Sequence, residues 1–135
     1  MPDMSARSKL MEFPEMKEKY DLEYPDYKPD PVVLQQLKPL LENKEIIIVM
    51  GVWCSDSRLQ VPHFYKILDE SGVEEKTITL ICVDEMKKSA NGLTENLSIE
   101  KVPTFILTAH RKEIGRITEW PEATLEIDMV EILKQ

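Results

Sequence analysis

The sequence predicts an α/β domain, a central mixed sheet of four to five strands flanked by helices. Three observations predict it. Two strongly β-forming runs, residues 46–50 and 77–83, are separated by a stretch of helical periodicity. Such a strand–helix–strand unit closes by a right-handed crossover with parallel strands. A second pair of β runs, 104–108 and 113–118, is joined by the short polar turn 109–112, and close strands of this kind pair antiparallel. An amphipathic stretch then follows, with Leu125, Met129, Ile132 and Leu133 on one stripe, as a helix packed on the sheet requires.

Taken in order, residues 1–30 differ from the rest. With Pro31 at the border they hold five of the nine prolines, along with Tyr20, Tyr24 and Tyr27. Residues 5–20 suit a helix interrupted at Pro14, because proline removes a helical donor. This stretch reads as an N-terminal extension, either packed on the domain by its aromatics or trailing from it. The domain itself is expected over residues 31–135. Asp30 before Pro31 is an N-cap with proline at the first helical position. Val33, Leu34, Leu37, Leu40 and Leu41 continue that helix at helical spacing. Pro39 should bend or shorten it.

Residues 45–51 form a strand apolar on both faces, as in a buried parallel sheet. The helix 57–70 turns Leu59, Phe64, Ile67 and Leu68 inward and stops at Ser71-Gly72. The second strand, 76–83, places Cys82 near its end, at an apolar alternation that suits the core. The polar stretch 85–91 ends in an Asn91-Gly92 turn, and 93–99 suits a short helix. Pro121 is expected to start the last helix.

At 135 residues one domain is the simplest reading. The formal charge of −8 argues against nucleic acid and anionic membranes as partners, which both call for basic patches. No apolar run reaches membrane-spanning length, and residues 1–20 show no signal-peptide pattern. A cytoplasmic location is the expectation. Two cysteines, Cys54 and Cys82, are too few for a disulfide framework and suit a reducing compartment. Together with His63 and His110 they make no zinc spacing, so neither metal nor other cofactor is implied.

The chemistry centres on Cys54. It falls just past the first strand, where a helix begins. The first amide N–H groups of a helix lack intrahelical partners. With the helix dipole they favour an anion, which inclines a cysteine there toward the thiolate. The thiolate is the nucleophile of disulfide exchange. The competing reading is an inert core cysteine. Ser57 either donates a hydrogen bond to the sulfur or satisfies a backbone donor. Asp56 opposes an anion on Cys54, since unit charges about 6 Å apart repel by roughly 3 kcal/mol at an effective dielectric of about 20. Arg58 is a candidate to neutralise Asp56 or to sit near the sulfur. Both are also ordinary charges of a first helical turn.

The segment Trp53-Cys54-Ser55-Asp56-Ser57 resembles the Trp-Cys-x-x-Cys active site of thioredoxins, with serine in place of the second cysteine. Pro62, eight residues past Cys54, matches the proline that kinks the family's active-site helix. Lys101-Val102-Pro103-Thr104-Phe105 resembles the family's cis-proline loop. The resemblance covers residues 31–135 and implies a thioredoxin-like fold. It also implies that Trp53, Val102, Pro103 and Trp120 border a substrate groove, with the backbone of Val102 pairing to an extended peptide.

Two departures argue against ordinary dithiol reduction. Ser57 cannot resolve a mixed disulfide, and Ile48 stands where thioredoxins carry a buried acid. The function implied is a monothiol thiol–disulfide oxidoreductase that forms mixed disulfides with protein or small-molecule thiols. The alternative is a redox-inactive module binding a partner through the cis-proline groove. Cys54-x-x-Ser57-Arg58 also resembles the site of glutaredoxin-like arsenate reductases, which lack the Trp-Cys pair. The sequence leaves the oligomeric state open.

Overall fold

The computed structural model describes residues 6–84 and 97–134. The expected polar stretch 85–91, its Asn91-Gly92 turn and most of the short helix 93–99 lie outside those residues. The chain adopts the α/β class predicted above, with a four-stranded mixed sheet in the order β2-β1-β3-β4. Two helices, α1 (Ala6–Leu10) and α2 (Pro14–Asp26), come first. Pro14 separates them by occupying the first turn of α2, a place where its missing N–H costs nothing.

Helix α3 (Pro31–Leu40) opens as its sequence dictates, with the Asp30 carboxylate accepting the Val32 N–H at 2.9 Å. Strand β1 (Glu45–Met50) is the centre of the sheet. It pairs parallel to β2 (Ile78–Cys82) and antiparallel to β3 (Thr104–Ala109). A 3₁₀ turn, Glu75–Thr77, precedes β2, so that strand starts two residues later than the expected strand 76–83. Strand β4 (Lys112–Thr118) closes a hairpin with β3. Helix α4 (Ser55–Glu70) crosses from β1 to β2.

The last helix, α5 (Leu125–Leu133), does not start at Pro121. Thr124 caps it instead, its hydroxyl accepting the Ile127 N–H at 3.1 Å. The Asp128 carboxylate reaches back to the N–H groups of Glu122 and Ala123 at 2.7 and 3.1 Å. Those bonds hold residues 121–124 as a loop. Close packing of α5 on β4 explains Gly115, where an added Cβ would lie 2.7 Å from Ile132 Cγ2.

Alternation along β1 sends its side chains to two faces. Ile46, Ile48 and Met50 enter the main core with Phe64, Tyr65, Phe105, Leu107 and the apolar faces of α3 and α5. Leu10, Met16 and Tyr20 of the first two helices are buried in that same core. Val49 points to the opposite face, into a smaller cluster with Ile81, Val83 and Val102. No described helix is long and apolar enough to cross a membrane.

Candidate functional site

Strand β1 ends at Met50, and a tight turn follows in which the Cys54 N–H donates to the Gly51 carbonyl at 3.0 Å. Gly51 is required there. An added Cβ would stand 2.5 Å from Cε2 of the Trp53 indole, which lies against the bare backbone. The indole Nε1 donates to the Val83 carbonyl at 2.9 Å. Two contacts thus fix Trp53, while 37% of its surface stays open to solvent.

Cys54 is the N-cap residue of α4, with extended backbone dihedrals of φ −92° and ψ 124°. Its carbonyl accepts the first helical bond, from the Arg58 N–H at 3.0 Å. The three N–H groups between them are left without intrahelical partners at the helix mouth. The cysteine is half-buried and packs against the Val49 cluster. Its Sγ donates to the Val102 carbonyl at 3.6 Å.

The loop that supplies this carbonyl is held from both sides. The Val102–Pro103 peptide bond is cis. Thr104 Oγ1 donates to the Lys101 carbonyl at 2.6 Å, and the Glu119 N–H donates to the Pro103 carbonyl at 2.7 Å. Cys54, Trp53, Val102 and Pro103 are therefore brought together.

The other candidates are placed differently. Ser57 is fully buried, and its hydroxyl accepts the Gly51 N–H at 3.2 Å, tying the first turn of α4 to the end of β1. Arg58 turns to Glu15 of α2 and forms an ion pair with it. Asp56 is half-buried and makes no ion pair among the described residues. Trp120 is 51% exposed and borders a cleft of about 450 Å³ with Ile132, Glu122 and Asp128.

No protein-family model matches the sequence, and no curated protein matches it. Solved structures do resemble it. An HIV epitope-scaffold is 12% identical with a TM-score of 0.66, covering 96% of this chain and 90% of that one. A protein of unknown function from Pseudomonas aeruginosa is 14% identical with a TM-score of 0.57, covering 89% of this chain and 80% of that one. Thioredoxin f2 of Chlamydomonas reinhardtii is 22% identical with a TM-score of 0.42, covering 63% of this chain and 78% of that one. The first two similarities speak to the fold alone.

Cys82 corrects an expectation. It is exposed, not a core residue, because β2 is an edge strand. Its register partner is Met50, so its side chain takes the Met50 face of the sheet. Cys54 packs with the Val49 face. The two sulfurs therefore sit on opposite sides of the sheet.

Sequence reasoning missed the N-terminal contribution to the site. Phe13 and Pro14 stand beside Val52 and Trp53 around a cleft of about 260 Å³. No spacing in the sequence connects these two pairs. The one local signal is Phe13 itself, an aromatic placed in a turn between two helices.

Proposed function

We propose that the protein is a thioredoxin-like thiol–disulfide oxidoreductase with a monothiol site, Cys54-x-x-Ser57. One observation carries this reading. Cys54 caps a helix N-terminus, is reachable from solvent, and lies 3.6 Å from the carbonyl that precedes a cis-proline. In the reaction the Cys54 thiolate attacks one sulfur of a disulfide. A Cys54 mixed disulfide forms, the old S–S bond breaks, and the other sulfur leaves as a thiolate. Loss of the Cys54 proton also frees the Val102 carbonyl to accept an N–H from an extended partner.

Resolution comes from outside the chain. Ser57 is buried and carries no thiol. A disulfide also needs Cα atoms within about 7 Å and converging Cβ vectors, which the opposite faces of Cys82 and Cys54 oppose. A small thiol such as glutathione, or a partner protein thiol, completes the cycle.

The test is intact mass after incubation with glutathione disulfide. One adduct per chain is expected, lost in Cys54→Ser, kept in Cys82→Ser and reversed by reduced glutathione. An unmodified Cys54 would sink this reading and leave a redox-inactive binding module around Pro103 and Trp53.

A further inference from the structure

Strand β4 has β3 on one side and, among the described residues, no strand on the other. The cleft of about 450 Å³ that Trp120 borders is lined by Arg116, Ile117 and Thr118 in succession. Side chains of a strand alternate between its two faces. Three successive residues therefore share one cleft only along the strand's edge, through the backbone. The far wall comes from α5. Ile132 lies close against Gly115, and Asp128 and Glu131, from the same side of that helix, line the cleft with it. Trp120 and Glu122, just past the end of β4, complete it. The backbone at Trp120 is pinned, since the Glu119 N–H donates to the Pro103 carbonyl at 2.7 Å and the Trp120 N–H to the Thr118 carbonyl at 2.8 Å. The indole is nevertheless 51% exposed.

The charge of the cleft is lopsided. Glu122, Asp128 and Glu131 bring three carboxylates against one cation, Arg116. Arg116 is already bound to Glu113 through two N–H groups, at 2.7 and 2.6 Å. Glu131 has a loose pair with Lys134 at 3.9 Å, both side chains being exposed. Glu122 has no ion-pair partner among the described residues. Asp128 is bonded to the neutral N–H groups of Glu122 and Ala123, which place no cation on it. Of the lysines on neighbouring segments, Lys101 pairs with Glu119 at 3.8 Å and Lys112 lies at the opposite end of β4.

An open strand edge presents a row of backbone N–H and C=O groups that another strand can pair with. Carboxylates beside that row and an exposed indole at its end suit cationic side chains, by charge and by contact with the ring face. A second copy of this chain, at net −8, brings like charge to the same place. We propose that the β4 edge docks an extended, basic segment of a partner polypeptide as an added strand, with an arginine or lysine side chain against Trp120. Cys54 does not line this cleft, and the proposal needs no exchange chemistry.

The test titrates the full-length, isotope-labelled protein with an end-blocked Val-Arg-Val-Arg-Val peptide. The indole N–H resonance that is lost in Trp120→Leu should shift saturably. The amides of residues 116–118 that do not bond to β3 should exchange more slowly. A Val-Glu-Val-Glu-Val peptide should do neither, and binding of the basic peptide should weaken as salt rises. Trp120→Leu, followed through those amides, should weaken binding about three- to fivefold, the scale of one exposed contact between a cation and a ring. Glu122→Gln with Glu131→Gln, both exposed positions, should flatten the salt dependence.

Backbone methylation isolates the strand pairing. A strand pairs through one edge, so N-methylation at every Val or at every Arg should abolish binding in one of the two patterns and spare the other. Equal binding by both patterns, or equal affinity for free arginine amide, makes the cleft a small-cation site and overturns strand docking. Protection at β2, or a shift of the Trp53 indole in place of Trp120, puts the peptide elsewhere and also overturns it. The same shifts on raising protein concentration alone assign the edge to a second copy and overturn the basic partner.

Discussion

Helix α4 meets the N-terminal helices at both of its ends, through an arginine ion pair each time, and the two ends are built to opposite purposes. At the C-terminal end Arg7 grips both Asp69 oxygens, at 2.6 and 2.8 Å. It also pairs with Glu75, and its guanidinium lies 4.1 Å from the centre of the Tyr65 ring. The Tyr24 hydroxyl adds a third bond to Asp69 at 2.5 Å. At the N-terminal end the only ion pair of Arg58 among the described residues is with Glu15, a side chain 80% exposed. Breaking a charge contact in water costs little, while removing one partner of a shielded, multiply bonded one strands the other charge and costs far more. The molecule is clamped where α4 ends and lightly tethered where its cysteine begins.

The largest test removes the clamp. Arg7→Ala strips Asp69 of its cation and uncovers Tyr65. It should lower unfolding stability by about 2–3 kcal/mol, the scale for breaking a partly buried pair. For a domain of this size that is roughly 10 °C in Tm. Urea and thermal unfolding read it directly. A loss no larger than that of an exposed pair would erase the contrast between the two ends.

The clamp should also reveal itself in pH. Burial pushes the Asp69 carboxyl up, but bonds from Arg7 and Tyr24 and the Arg7 charge outweigh that and hold it below the usual carboxylate range. A carboxyl depressed in the folded state stabilises above its unfolded pKa, and the contribution disappears as pH falls through the folded value. Stability should therefore be flat near neutrality and decline below about pH 4, the ordinary aspartate range. Asp69→Asn should shallow that decline. Glu23, lowered by its bond to His63, and Glu113, lowered by Arg116, add to it in the same direction. An acid limb unchanged by Asp69→Asn would place the proton uptake elsewhere.

The sheet and the cysteine were legible for different reasons. Strand β1 announced itself because a buried central strand is apolar on both faces, and its neighbours followed from connection rules. Trp53, Cys54, Val102 and Pro103 were legible as local motifs at the ends of those strands. Cys82 misled because apolar alternation does not distinguish an edge strand from a central one. Pro121 misled because proline suits a loop as well as a first helical turn. Thr124 and Asp128 decide the start of α5. The Phe13–Trp53 cleft and the Arg58–Glu15 and Arg7–Asp69 pairs had no signal. They join positions far apart in sequence, and only the packed helices bring them together.

The smallest expected effect concerns the tether. Arg58→Ala removes an ion pair whose carboxylate is 80% exposed, so the stability loss should stay below about 1 kcal/mol and shrink further in high salt. Its consequence should appear at the cleft instead. Without the pair, no other polar contact among the described residues ties Glu15 to α4, and the turn that carries Phe13 is freer to move relative to Trp53. Hydrogen exchange at the first turn of α2 should then quicken while exchange in the clamped helix end stays slow, because local opening depends on nearby contacts and not on global stability. Equal acceleration at both ends would mean that the N-terminal helices move as one rigid unit, and that the tether has no separate role in shaping the site.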